Sequence, residues 1–112
     1  MIRATTPKHI FTFETNPSEF KRILITYVQN GNVIFEIEKD GLTFEEVTNA
    51  FGDTIGYAAW FRMSQEDTKK FSANSGKMVS VQVRVLTSAD EALASEKKSF
   101  SVQDVLNDEV LT

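Results

Sequence analysis

The chain has 112 residues, 12 of them basic and 16 acidic, for a formal charge of −4. That is one domain's worth of sequence, and its summed field repels a phosphate backbone, so nucleic acid is not an expected partner. It has no cysteine, which excludes disulfide scaffolds, thiol catalysis and zinc sites built on thiolates.

Hydrophobic residues make up 41% and include nine Phe, enough to fill a core without metal or cross-link. Nothing approaches the run of about 18 apolar residues that spans a bilayer, and the opening MIRATTPKHIFTF lacks the apolar segment of a signal peptide. Membrane insertion is therefore not expected, and synthesis in the cytoplasm is.

Pro7 opens an alternating stretch in which His9, Phe11 and Phe13 share one face. This predicts a first strand, with the proline at its start where a missing N–H does least harm. Asn16-Pro17-Ser18 is a turn. Phe20 to Val28 reads as a second strand, apolar on both faces through Ile23, Leu24, Ile25, Tyr27 and Val28, and so central in its sheet. Asn30-Gly31-Asn32 tolerates positive φ and predicts a hairpin into Val33 to Glu38, where Val33, Phe35 and Ile37 alternate with Ile34, Glu36 and Glu38.

Leu42 to Thr54 fits a short helix, from the spacing of Phe44, Val47 and Phe51, or an irregular insertion about equally well. Ile55 to Met63 alternates as a strand, with Trp60 on the face opposite Ile55, Tyr57 and Phe61. Ser64 is a good N-cap, Glu66 and Asp67 suit the first turn of a short helix, and Phe71 is expected to pin that turn to the core. Asn74-Ser75-Gly76 breaks the helix. The strand that follows puts Val79, Val81, Val83 and Val85 on one face and Ser80, Gln82 and Arg84 on the other. Ser88-Ala89-Asp90 turns the chain into a last strand, Leu93 to Val102, and the tail DVLNDEVLT follows.

About six or seven strands with turn signals between them predict an all-β fold, a single-domain immunoglobulin-like antiparallel β-sandwich with a short helical turn at Ser64 to Phe71. Glu36 with Glu38, and Lys97 with Lys98, are charges suited to guarding sheet edges.

His9 is the only histidine, so a histidine-based metal site or a Ser/His/Asp triad would have to be built on it. Its place on an apolar strand face predicts instead a packed histidine hydrogen-bonded to backbone or to a neighbouring strand, and no GxSxG elbow exists. The pairs Glu45-Glu46, Glu66-Asp67, Asp90-Glu91 and Asp108-Glu109 are adjacent carboxylates that point apart, whereas glycosidase chemistry needs two facing each other across a cleft. Gly52-Asp53-Thr54 is oxygen-rich but has no EF-hand spacing, and the glycines never cluster into a phosphate loop. No catalytic residue, metal ligand or cofactor site is expected.

Two surfaces are candidates for binding. Trp60 with Tyr57 could stack on a sugar, unless the tryptophan is buried in the core. Val105, Leu106, Val110 and Leu111 are apolar at the end of the chain and either pack on their own domain or form assembly contacts with a neighbour.

Met1-Ile2-Arg3, Thr6-Pro7-Lys8-His9 with Phe11, the turn Ser64 to Thr68, the strand Val81 to Thr87 (VQVRVLT) and Asp108-Glu109-Val110-Leu111 occur in this order. Together they resemble small, mostly uncharacterised structural proteins encoded by prophages of Gram-positive bacteria (Firmicutes), in tail or adjacent virion modules. The chain departs from that pattern at Leu42 to Gly56, which is longer, and at Ala4, which stands where Gly is frequent. The resemblance implies a non-enzymatic phage virion structural or accessory protein, a tail- or baseplate-type protein–protein interaction module. Its implied partners are other phage structural proteins or further copies of itself as a homo-oligomer. The implied location is the bacterial host cytoplasm during assembly, and then the virion. The alternative is a β-sandwich module that binds carbohydrate or the host surface through Tyr57 and Trp60.

Overall fold

A computed structural model describes residues 1–73, 78–95, 98–100, 102 and 111. Two antiparallel sheets pack face to face. The first is ordered β1 (Lys8–Phe13), β5 (Thr54–Arg62), β4 (Thr43–Thr48). The second is ordered β3 (Asn32–Glu38), β2 (Arg22–Gln29), β6 (Val79–Leu86), and the far edge of β6 takes both β7 (Ala92–Ala94) and β8 (Lys98–Phe100). The all-β sandwich is the fold, with the short helix α1 (Gln65–Lys69) where the sequence places it. The strand order differs from the immunoglobulin arrangement, in which the first two strands share a sheet with the fourth and fifth. Here Asn30 (φ 56°) and Gly31 (φ 75°) form a two-residue turn that pairs β3 with β2, so β2 lies in the second sheet and β1 pairs with β5 directly.

The core forms where β2 faces β5. Ile23, Ile25 and Tyr27 on one side and Ala59, Phe61 and Met63 on the other are all buried, as the period-two pattern of each strand dictates. One side-chain assignment reverses. Tyr27 lies opposite Phe35 but Val28 opposite Val33, so Ile34 is an extra residue, a β-bulge. The bulge turns Val33 out, 57% exposed, and leaves Ile34 packed against the core with Phe35 and Ile37.

Leu42 to Thr54 is neither a helix nor an irregular insertion. Thr43–Thr48 is β4, paired along β5, and the chain turns at 49–53. The β-branched Thr43, Val47 and Thr48 favour a pleated strand. In the turn the Asn49 Oδ1 accepts from the Phe51 and Asp53 N–H groups at 2.9 and 3.1 Å, and Gly52 takes φ 84°. Phe51, which a helix would have turned inward, stands at the tip, 90% exposed.

The last strand is in two parts. Ala94 lies opposite Arg84 and Lys98 opposite Val81, so four steps along this edge (94 to 98) match three along β6 (81 to 84), a one-residue bulge. Ser95 bridges it: its N–H donates to the Val83 carbonyl at 2.8 Å and its hydroxyl accepts from the Val83 N–H at 3.0 Å. The bulge changes which residues face inward. Leu93 opposes Val85 before it, whereas Lys98 and Phe100 oppose Val81 and Val79 after it.

Two local features have measurable consequences. The Ser64 hydroxyl caps α1, accepting from the Asp67 N–H at 3.0 Å, and Phe71 just beyond is buried; Ser64→Ala is expected to lower stability by about 1 kcal/mol in thermal unfolding. Ala4 sits at φ 58°, a left-handed conformation that disfavours any Cβ by about 1–2 kcal/mol. Ala4→Gly is expected to raise stability by about 0.5–1 kcal/mol, the greater freedom of unfolded glycine offsetting part of the relief; an unchanged urea midpoint would contradict this.

Candidate functional site

The two sheets part between β1 and the far edge of the second sheet. Val79, at the closed end of β6, is fully buried, whereas Val81, Val83 and Val85 are only half-buried. Over them lies a cleft of about 820 Å³. One wall is β1, from His9 to Phe13; the floor is the valine face of β6, and the other wall is Leu93, Ala94, Ser95, Lys98 and Phe100. The cleft exists because β1 ends the first sheet while the second continues past β6 to β7 and β8. Lys98 is the one charged side chain among the described lining residues, and it faces inward because of the bulge at Ser95.

At the inner end of the cleft the His9 Nδ1 lies 2.6 Å from the Tyr27 hydroxyl. Burial, aided by the positive N-terminal amine, lowers the His9 pKa from its ordinary 6.5, and burial raises that of the Tyr27 phenol. Both groups are therefore neutral at pH 7. The two neutral groups share one hydrogen bond, whose donor is set by the histidine tautomer. The predicted packed histidine is thus present, with a tyrosine of the opposite sheet as its partner.

A pH dependence follows. A histidine whose folded pKa is depressed binds fewer protons in the native than in the unfolded state just below pH 6.5. Its contribution to stability is full above that pH and is lost as pH falls through the lowered folded value. The melting temperature is expected to fall from pH 7.5 to pH 5, and by less in His9→Phe; equal slopes for the two proteins would rule out His9 as the cause.

The candidate sugar platform is not one surface. Tyr57 lies opposite Phe13 and Glu46 on the inward side of β5, while Trp60 lies opposite Ile10 and Thr43 on the outer face. Trp60 is half-buried rather than in the core, with the Lys8 ammonium 4.1 Å from its ring centroid and its indole N–H buried without a partner among the described residues. Of the tail contacts, Val105, Leu106 and Val110 lie outside the described residues. Leu111 is 75% exposed, and the Gln65 amide holds its backbone at both N–H (2.6 Å) and C=O (2.8 Å).

The cleft and Lys98's part in it were not foreseen from the sequence. An uninterrupted strand from Leu93 would place Lys98 and Phe100 on the opposite face from where they lie, and no residue in the sequence marks the bulge. Among the described residues no group of three His, Asp or Glu side chains is placed to hold a metal ion. What the site offers chemically is an apolar floor, a neutral His–Tyr pair, one ammonium group and the edge of a strand. No protein-family model matches the chain, and no curated protein matches it.

Proposed function

We propose that this chain is a non-enzymatic structural or accessory protein of a phage virion, a module that holds a neighbouring virion protein, another copy of itself included. Its setting comes from the resemblance of its ordered motifs to prophage structural proteins. The observation that supports an assembly role is the cleft beside the edge of β1, which among the described residues pairs only with β5. Free strand edges invite pairing, and folded proteins usually guard them with charge. β3, the outer strand of the second sheet, carries exposed Glu36 and Glu38. β1 carries no charge from His9 to Phe13, and Ile10 on it is 57% exposed. An edge so unguarded beside an apolar cleft suits a surface that is covered in the working assembly.

Density-gradient purification of particles from the host that encodes the chain tests the role. The protein is expected to co-sediment with particles, and its deletion to yield incomplete ones; intact, infectious particles lacking it throughout would refute the proposal.

One observation favours the carbohydrate reading as a second: Trp60 is on an outer face rather than in the core. Against it, Lys8 already covers the ring, and a sugar would have to displace it. Trp60→Ala is expected to leave retention on host cell-wall polysaccharide unchanged. Loss of retention at an unchanged melting temperature would favour the second reading.

A further inference from the structure

We propose that the cleft is a strand-acceptor groove: an extended segment of a partner protein adds to the free edge of β1, laying alternate apolar side chains on Val81, Val83 and Val85 and a carboxylate beside Lys98. This rests on the assembly role proposed above and specifies how the partner is held.

Three features determine the occupant. First, the cleft touches five successive residues of β1, 9 to 13. Side chains alternate between faces along a strand, so a cavity touching every residue runs along the backbone edge. Among the described residues β1 pairs only with β5, leaving on its other side the row of N–H and C=O groups that β-augmentation uses. Second, the floor is long enough. β1 has six residues, about 20 Å at the usual rise, and a chain pairing with it would cover the three half-buried valines. Third, Lys98 is the one charged group among the described lining residues, placed near the His9 end, where Phe100 meets the His9 ring at 6.0 Å. It selects an acidic residue at that end of the segment.

Alternative occupants fit less well. A fatty acid would match the floor and Lys98 but would cover the β1 edge without pairing its backbone groups, which is unfavourable. A second copy pairing β1 to β1 would bring a whole sheet against the wall formed by Leu93, Ala94, Ser95, Lys98 and Phe100, whereas a single extended segment brings one strand.

The test uses the full chain and a defined probe, a blocked octapeptide of alternating valine and threonine with glutamate at one end. By NMR, binding is expected to slow amide exchange at alternate residues of β1. The peptide with lysine in place of glutamate is expected to bind about tenfold more weakly. Lys98→Glu, at an exposed position, should reverse that preference without affecting the fold, and Val83→Phe, which fills the floor with an apolar ring, should abolish binding in a folded protein. Binding with no protection of β1, or a preference indifferent to Lys98→Glu, would overturn the proposal. So would dodecanoate occupying the cleft while the peptides do not bind. Because particle incorporation is measured separately, failure here would leave the virion role standing and remove only this mode of contact.

Discussion

Tyr27→Ala is expected to lose about 3–5 kcal/mol of stability, the range for truncating a large aromatic in a core, measured by urea or thermal unfolding. Tyr27 is fully buried and its ring packs at 5.6 to 6.3 Å from those of His9, Phe35, Phe61, Phe71 and Phe100. These come from β1, β3, β5, β8 and the segment after α1, so a single side chain joins both sheets to the helix. Its removal leaves a cavity with walls on five elements, which no local shift can close. Tyr27→Phe isolates the hydroxyl: the ring contacts stay, the His9 Nδ1 loses its hydrogen-bond partner, and about 1–2 kcal/mol should be lost. A loss under 1 kcal/mol for the alanine variant would mean that the sandwich does not close around Tyr27 in solution.

Gln29→Leu is expected to lose about 2–3 kcal/mol although it introduces an apolar side chain into an apolar site. Gln29 is 3% exposed at the end of β2, and its amide pairs with the Ser72 backbone as a strand would: Nε2 donates to the carbonyl and Oε1 accepts from the N–H, both at 2.7 Å. Leucine strips both partners from the Ser72 backbone, each a group with a desolvation penalty of about 1–3 kcal/mol when unpaired, less what water recovers. Ser72 follows Phe71, whose ring rests on Tyr27 at 6.0 Å, so the clamp also fixes the descent from α1 into the core. Fast amide exchange at Ser72 in the variant would accompany the loss; a variant as stable as the parent would show that this pairing contributes nothing.

Much of the fold was legible because its signals are local. Alternation in HIFTF and in VSVQVRV places the inward residues of β1 and β6, Asn30-Gly31 defines a hairpin, and Ser64 caps a helix, all without reference to distant residues. The misreadings share one cause. In β4, Phe44, Val47 and Phe51 mimic a helical face, and only the ladder to β5 decides for a strand. At Ile34 and at Ser95 a bulge inserts one residue, so the side chains before and after it change parity relative to each other: Val33 turns out, and Lys98 and Phe100 turn in. The candidate platform of Tyr57 and Trp60 divides for a local reason instead: the two residues are an odd number of steps apart on one strand and lie on opposite faces, as the alternation of Ile55 to Met63 already indicates.

The amino-acid sequence by itself determined that this chain is all-β, where most strands begin and turn, and that its lone histidine is packed beside aromatic residues, because these follow from periodicity and turn chemistry within a few residues. Tertiary structure alone decided the strand order, the pairing of Gln29 with Ser72 and the cleft. Each depends on which distant backbone finds which partner: β1 becomes an edge only once β5 has paired with β4 on its other side, and Lys98 faces inward only because the strand holding it pairs with β6 one residue out of step.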